Sequence, residues 1–183
     1  AASFSFNPMK VLSAIGEAGA VVLDDSSVTE HLMSLRYLGT QNREICFTPE
    51  LNHKIDSLQA QILLYKMQNL ERNLSQRREI AATYTANLCD YVDVPESADL
   101  KRNTFFDYPV LTPARDALQR SLTSCGIDTR VKPLMPLNLH PAFASYPSQP
   151  TPTAEFFCHN SLCLPIFRGM QDYEVWEVVQ KVR

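Results

Sequence analysis

The stretch that decides the fold lies near the start of the chain and reads Ser5-Phe6-Asn7-Pro8-Met9-Lys10. Residues 3–6 alternate polar and aromatic side chains, which predicts a β-strand, and Asn7-Pro8 ends that strand. Glycine-rich residues 16–19 then form a turn, and the apolar residues 20–23 predict a short buried strand. The sequence therefore places a lysine on a tight turn just past the end of a strand.

Lys10 has a setting that suits amine chemistry. Its apolar neighbours are Phe6, Met9, Val11 and Leu12. We expect them to exclude water, and desolvation favours the neutral amine, which condenses with aldehydes. The hydroxyl of Ser5 is near enough in sequence to bind a phosphate oxygen. Small residues at Gly16, Ala18 and Gly19 would let the backbone approach a bulky cofactor closely. The alternative is an ordinary solvated lysine after a proline turn.

Length and charge narrow the class of protein. The chain has 183 residues, enough for one domain or two small ones, and its net charge of −3 argues against nucleic acid or an anionic membrane as main partner. Five cysteines at irregular spacing do not predict a disulfide framework. There is no signal-peptide pattern and no apolar stretch of membrane-spanning length. We expect a reduced, cytoplasmic protein.

The remainder of the first half is predicted to be mostly helical. Residues 28–38 form a helix that Ser26-Ser27 would cap and Gly39 would end, and residues 40–51 form a loop. Apolar residues recur at helical spacing along residues 63–88, with Arg77 as the one interruption. Because no glycine or proline occurs within residues 55–87, we expect one long helix that connects two structural units.

The second half alternates strands and helices. The predicted strands are residues 104–111, 127–132 and 161–164, and the predicted helices are residues 114–125, 153–160 and 171–182. A proline-rich loop covers residues 133–152, and Gly126 suits the end of the first of these helices. This order predicts a small α/β unit.

Four segments, in one order along the chain, resemble the DegT/DnrJ/EryC1/StrS aminotransferases. The first is residues 5–20, similar to the family pattern Ser-Phe-x-Pro-x-Lys followed by a glycine-rich turn. The others are residues 52–60 at the head of the long helix, then Gly126-Ile127-Asp128-Thr129 with the downstream Pro136-Leu137 and Pro141-Ala142-Phe143, and finally residues 161–167. Four ordered matches make chance agreement a poor explanation.

The resemblance implies an α/β fold, the C-terminal part of a fold type I enzyme dependent on pyridoxal phosphate. Residues 1–51 would be the C-terminal portion of the large cofactor-binding domain, residues 52–94 the connecting helix, and residues 95–183 the small C-terminal domain. The chain opens inside a strand and without methionine. We therefore expect an N-terminally incomplete chain whose strand edges a missing portion would cover.

The same resemblance implies a reaction and a set of site residues. Lys10 would hold pyridoxal 5'-phosphate as a Schiff base and move the proton during transfer, and Ser5 would contact the cofactor phosphate. Asn52 and Lys54 lie where the family reaches across a homodimer interface towards the neighbouring phosphate; for Lys54 a solvated charge is the alternative. The amino donor would be glutamate or glutamine, and the acceptor a nucleotide-linked keto sugar.

Several positions depart from the family pattern and concern the substrate. Asn7 and Ala18 stand where the family often has other residues, and Asn7 becomes a candidate substrate contact. Lys132 and His140 lie in the loop where the family often carries histidines. We treat them as candidate substrate contacts, with exposed loop residues as the alternative.

Other functions remain open. The family's acidic partner of the pyridine nitrogen and its ring-stacking side chain lie upstream of the lysine, so we expect this chain alone to be inactive. A catalytically inactive regulatory or binding module on the same fold is one alternative. A sugar dehydratase relative is another, although those enzymes carry histidine in place of the lysine. No metal site is expected, because Cys158, His159 and Cys163 fit no standard zinc spacing.

Overall fold

The structure is a computed structural model that describes residues 1–96, 102–147 and 149–183. It divides into two compact units, Ala1–Glu71 and Arg72–Arg183. The boundary between them falls inside residues 52–94, the predicted connecting helix. The predicted start of the small domain at residue 95 borders residues 97–101, which lie outside the described part. The predicted three-part division stays a prediction.

The first unit opens with a two-stranded sheet. Strand β1 (Ala2–Ser5) pairs antiparallel with β2 (Gly19–Val22), and Ser5 lies opposite Gly19. A Cβ atom at Gly19 would lie 2.9 Å from the carbonyl oxygen of Phe4, which explains glycine there. The prediction that residues 20–23 form a buried strand is wrong, since Val21 and Val22 are exposed. A lone pair of strands has no second layer to bury its faces.

A short helix and a hairpin follow β2. A 3₁₀ turn (Ser26–Val28) leads into helix α1 (Thr29–Arg36), and the carboxylate of Asp25 accepts a hydrogen bond from the Ser27 N–H at 2.8 Å. Asp25 therefore caps the 3₁₀ turn, whereas α1 follows Val28 without a side-chain cap, so the predicted cap at Ser26-Ser27 is wrong. Residues 40–51 were predicted as loop, but they contain a hairpin of β3 (Thr40–Gln41) and β4 (Ile45–Cys46). Its strands are too short to give an alternating pattern.

The predicted continuous helix over residues 55–87 is two helices. Helix α2 (Ser57–Met67) ends before a two-residue turn, and α3 (Leu70–Leu88) follows. The Asn69 N–H donates to the Lys66 carbonyl oxygen at 3.1 Å, a three-residue spacing that tightens the last turn. The side chains of Gln68 and Asn69 can form hydrogen bonds with backbone groups that lose their helical partners at the end of α2. The helix can therefore end there without a glycine or a proline.

The second unit pairs β5 (Tyr108–Leu111) with β6 (Ser161–Leu164) in an antiparallel sheet. Its other helices are α4 (Arg115–Ser124), α5 (Pro152–Asn160) and α6 (Asp172–Val182). The predicted strand over residues 127–132 is reduced to one bridge, between Arg130 and Cys163. The N–H of Ile127, the first residue of the predicted strand, donates to the Leu122 carbonyl oxygen near the end of α4 and is not available to a neighbouring strand. Pro133, which follows the predicted strand, has no N–H and cannot extend the pairing.

The second unit surrounds one hydrophobic core. Tyr84 and Tyr108 are fully buried there with ring centroids 5.2 Å apart. The Tyr84 hydroxyl donates to the Pro165 carbonyl oxygen at 2.9 Å. Arg77, which interrupts the apolar face of α3, donates from Nη1 to the carbonyl oxygens of Phe105 at 2.8 Å and Ile166 at 3.0 Å. Within the described residues, no helix has the length and apolar character needed to cross a membrane.

Candidate active site

Asn7 organises the turn that carries Lys10. The Lys10 N–H donates to the Asn7 carbonyl oxygen at 2.9 Å, and the Met9 N–H donates to Asn7 Oδ1 at 2.9 Å. The Asn7 amide nitrogen donates to Glu17 Oε1 at 2.7 Å. Both polar atoms of the Asn7 side chain therefore bind protein groups, and its predicted substrate contact stays a prediction.

The loop that begins with this turn is closed at its base by Phe6. The Phe6 N–H donates to the Ala18 carbonyl oxygen at 2.8 Å, and the Ala14 N–H donates to the Phe6 carbonyl oxygen at 2.8 Å. Ala14 is only 2% exposed. Lys10 thus lies on a loop whose two ends meet at the end of β1.

Helix α2 holds the far side of this loop through two polar side chains. Gln59 accepts from the Ile15 N–H at 2.7 Å and donates to the Ile15 carbonyl oxygen at 2.6 Å. The Lys66 ammonium donates to the Ser13 carbonyl oxygen at 2.7 Å and to Ser13 Oγ at 3.0 Å. Sequence reasoning missed both roles. Gln59 lies within residues 52–60, one of the segments that resemble the family, but nothing in the sequence identifies its partner.

Lys10 is half-buried, so the dry setting predicted for it is only partly present in the described chain. Phe6, Val11 and Leu12 are half-buried as well, and Met9 is exposed. The neighbours in sequence diverge around a tight turn, so they cannot enclose the amine by themselves.

The residues at the end of β1 fit a phosphate-bearing aldehyde. Ser5 is exposed, and its Oγ accepts only a long hydrogen bond of 3.4 Å from the Asn7 N–H. Its hydroxyl proton therefore remains available to donate to an anionic oxygen. Gly16 has a φ of +138°, a conformation that side-chain-bearing residues rarely adopt. A half-buried amine and an available hydroxyl are the groups that such a cofactor would need.

Asn52 and Lys54 lie beside α1. Asn52 forms an isolated bridge with Tyr37, and its Oδ1 accepts from the Lys54 N–H at 3.2 Å. The Lys54 ammonium stands 3.8 Å from the centroid of the Tyr37 ring. Lys54 also lines an open cleft of about 500 Å³ together with Arg36 and Arg43. Three cationic side chains against one carboxylate, that of Glu30, make this cleft suitable for an anionic group.

The two candidate substrate residues of the second unit have different surroundings. The Lys132 ammonium donates to Asp107 Oδ2 at 2.8 Å and lies 4.4 Å from the centroid of the Phe106 ring. Its charge is therefore compensated within the protein. His140 is half-buried and joins two short 3₁₀ turns, Leu137–Leu139 and Pro141–Phe143. Substrate contact by either residue stays a prediction.

The cysteine and histidine residues form no metal-binding cluster within the described residues. His159 Nδ1 lies 2.7 Å from the Glu155 carbonyl oxygen, and Cys158 and Cys163 are buried. Burial raises the pKa of the Cys163 thiol to about 11, which keeps it protonated at neutral pH.

Comparison with known proteins gives matches along the whole chain. The model of the DegT/DnrJ/EryC1/StrS aminotransferase family matches residues 1–183. A "Pleiotropic regulatory protein" of Geobacillus stearothermophilus is 35% identical over 188 residues, covering 100% of this chain and 50% of that protein. A dTDP-3-amino-3,4,6-trideoxy-alpha-D-glucose transaminase of Streptomyces venezuelae is 32% identical over 186 residues, covering 100% of this chain and 49% of that protein.

Solved structures have the same fold. S. venezuelae DesV in complex with a ketimine intermediate superposes with a TM-score of 0.93 at 31% identity, covering 99% of this chain and 50% of that one. A DegT DnrJ EryC1 StrS aminotransferase from Brucella abortus gives a TM-score of 0.92 at 28% identity, covering 99% and 49%. The chain thus has the α/β fold of part of these aminotransferases, and spans about half the length of the curated relatives it matches.

Proposed function

The chain belongs to the DegT/DnrJ/EryC1/StrS aminotransferase family, and from that premise we propose that it is part of an enzyme dependent on pyridoxal phosphate. The proposed reaction transfers an amino group from glutamate or glutamine to a nucleotide-linked keto sugar. Relatives named as sugar-nucleotide transaminases support the substrate class. The observation that carries the proposal is the loop of Lys10, closed at Phe6 and fastened to α2.

Pyridoxal phosphate, when bound, supplies an aldehyde that condenses with amines and a ring that accepts electrons from an adjacent carbon. Lys10 would bind this aldehyde through Nζ. Once displaced by the donor amine, Nζ would take a proton from the donor α-carbon and deliver it during transfer. Asn7 orients the turn, because its carbonyl oxygen and Oδ1 hold two successive N–H groups of residues 9 and 10.

Three further residues would bind the phosphate. Ser5 Oγ is the local candidate, because its hydroxyl proton is available. Asn52 and Lys54 would reach the phosphate of a neighbouring subunit in a homodimer with shared active sites. The exposure of Lys54 and of its cleft supports a role at a shared site, since a cation that stays solvated in one chain can bind an anion of another. The same arrangement would supply the exclusion of water that Lys10 lacks locally.

Borohydride trapping tests the assignment of Lys10. The full-length protein is incubated with pyridoxal phosphate, reduced, digested and mapped by mass spectrometry. We expect the label on the peptide that contains Lys10, and none on a Lys10→Met variant. Lys181→Met is the matched control, because Lys181 is exposed on α6, and it should label as the parent does. Label on another lysine, or its absence from the parent, would contradict the proposal.

The chain of 183 residues taken alone is proposed to be inactive. The chain spans about half the length of the curated relatives that it matches, and the rest of such an enzyme would contribute to the cofactor site. We expect no strong visible absorbance band when pyridoxal phosphate is added to this chain. A strong band that disappears in Lys10→Met would show that residues 1–183 suffice to bind the cofactor.

A regulatory role is the second candidate, favoured by the similarity to a protein named as a pleiotropic regulator. The same trapping experiment separates the two functions in part, because a module that binds no cofactor gives no label. A protein that labels at Lys10 but shows no amino transfer to any nucleotide-linked keto sugar would favour the regulatory function.

A further inference from the structure

One face of α2 carries three residues that point to a common role. Gln59, Leu63 and Lys66 are spaced by four and three residues, so they lie along one side of the helix. Leu63 is 7% exposed and is the one buried residue of α2. The two polar residues on either side of it bind Ser13 and Ile15, the residues on either side of buried Ala14. On both partners, the two residues that make polar contacts therefore flank a buried apolar residue.

Gln59 binds Ile15 in the manner of a neighbouring β-strand. Its side-chain amide satisfies both the N–H and the carbonyl oxygen of that one residue, at 2.7 and 2.6 Å. Two simultaneous hydrogen bonds fix orientation as well as position. The next residue, Gly16, has a φ of +138° and its backbone is intrinsically flexible, so the loop needs an external hold at this point.

Lys66 provides the second hold, at Ser13. Its ammonium donates to a carbonyl oxygen and a hydroxyl oxygen of the same residue, at 2.7 and 3.0 Å. Hydrogen bonds from a charged donor are stronger than neutral ones. Lys66 is half-buried, so these bonds are shielded from water more than an exposed pair would be.

Residues 13–15 connect the contacts with α2 to the loop that carries Lys10. Ala14, between the two clamped residues, donates to the Phe6 carbonyl oxygen at the end of β1. The loop from Asn7 to Ala14 therefore has both ends fixed, one by the strand and one by α2. We propose that Gln59 and Lys66 are positioning residues that set the place of the Lys10 amine through residues 13–15; this inference rests on the proposed role of Lys10.

We call the contacts of Gln59 and Lys66 with residues 13–15 the clamp. The rate constant of borohydride trapping at Lys10 in the full-length protein tests it, because the rate constant and the amplitude of labelling depend on different properties. Amplitude follows the fraction of folded protein, whereas the rate constant follows the placement of the amine in molecules that are folded. We expect Gln59→Ala to lower the rate constant of labelling at Lys10 by about tenfold, since a displacement of about 1 Å can cost more. Gln61→Ala, an exposed glutamine of the same helix, should leave it unchanged.

Two substitutions of Lys66 test whether its cationic donor is what positions the loop. Lys66→Met should slow labelling by about fivefold with unchanged amplitude, since charged hydrogen bonds are lost. Lys66→Arg keeps a cationic donor and should recover most of the rate. Equal rate constants in the parent, Gln59→Ala and Lys66→Met would overturn the clamp while leaving the proposed function intact. Failure of the parent to label at Lys10 would instead overturn the proposed function.

Hydrogen exchange gives a readout that needs no cofactor. The Ile15 N–H donates to Gln59 Oε1, so its exchange should accelerate by about tenfold or more in Gln59→Ala while core amides of the second unit, such as that of Val179, keep their protection. If a variant lowers the amplitude through misfolding, exchange at Ile15 in Gln59→Met still decides the matter, with the Val179 amide as the internal check of folding. That variant removes both the acceptor of the Ile15 N–H and the donor to the Ile15 carbonyl oxygen, and unchanged exchange of the Ile15 amide in it would contradict the proposal.

Discussion

The two units differ in how much apolar surface they bury. The unit Arg72–Arg183 surrounds a core that extends from Ile80 on α3 to Val182 on α6. In the unit Ala1–Glu71, which the structure describes completely, Ala14 and Leu63 are the only buried hydrophobic residues. Yet Lys10, Ser5, Asn52 and Lys54 all belong to this first unit. The proposed chemistry and the main hydrophobic core lie in different parts of the chain.

The difference shows two ways of fixing a side chain. Burying one large apolar side chain contributes about 1.5–3 kcal/mol and does not depend on direction. A hydrogen bond contributes about 1 kcal/mol net, but it fixes orientation. The loop of Lys10 is held by hydrogen bonds from Asn7, Gln59 and Lys66. The first unit is therefore suited to precise placement, and the second to stability.

The largest effect is expected at Lys10. In the full-length protein, Lys10→Arg should lower amino transfer by at least about a thousandfold, because guanidinium does not form the covalent link that the amine forms. Its melting temperature without cofactor should stay close to that of the parent, since Lys10 is half-buried and outside the core. Comparable amino transfer by the parent and by Lys10→Arg would show that the first unit does not carry the catalytic lysine.

Truncation of a leucine should separate the two units by stability. Leu122 is 0% exposed, and Leu122→Ala should lower the free energy of unfolding of the second unit by about 2–5 kcal/mol. Leu64 is 59% exposed, and Leu64→Ala should change the free energy of unfolding of this chain by about 0.5 kcal/mol or less. Denaturant unfolding of the 183-residue chain measures both. Equal losses would mean that Leu64 is packed against other apolar groups, and that the first unit buries more apolar surface than its exposure indicates.

Arg77 tests whether the second unit also depends on oriented polar contacts. Arg77→Met removes the donor to two carbonyl oxygens and should lower the free energy of unfolding by about 2 kcal/mol. The half-burial that lowers the pKa of Arg77 also makes the freed carbonyl groups costly. Arg120→Met on the exposed side of α4 is the control, with little change expected. A similar loss in both would assign the effect to charge alone.

The smallest effect is a pH dependence at Cys163. Its pKa is raised from 9.0 to about 11 by burial, so the folded state holds the thiol proton more tightly than the unfolded chain does. This contribution is fully present below pH 9 and is lost as the pH rises through about 11. Cys163→Ala should reduce the fall in unfolding free energy over that range by at most about 2 kcal/mol.

Denaturant midpoints at several pH values measure this slope, and Cys125→Ala is the control because Cys125 is exposed. The exposed thiol should leave the slope as it is in the parent. A slope unaffected by Cys163→Ala would show that the thiol titrates normally in the folded protein, and that the second unit is less tightly closed around β6 than its burial indicates.

Local sequence signals predicted many of the elements. The helices of residues 114–125 and 171–182 and the strand of residues 161–164 occur within one or two residues of their predicted ends. Prediction failed where the backbone hydrogen bonds differ from those that the side-chain composition indicates. Residues 127–132 have strand-like composition, but the Ile127 N–H binds the end of α4. The long helix breaks at Gln68-Asn69, where neither residue is a strong breaker by itself.

The sequence by itself determined the family and the position of Lys10 after a strand, because motif spacing and turn residues act over a few neighbours along the chain. Only the tertiary structure decided what holds that lysine in place, because the groups that bind its loop are more than forty residues away in sequence. It also decided that Arg77 has a partner in the core, and that the neighbours of Lys10 enclose it only partly. Hydrogen bonds between distant backbone and side-chain groups leave no periodic trace in a sequence.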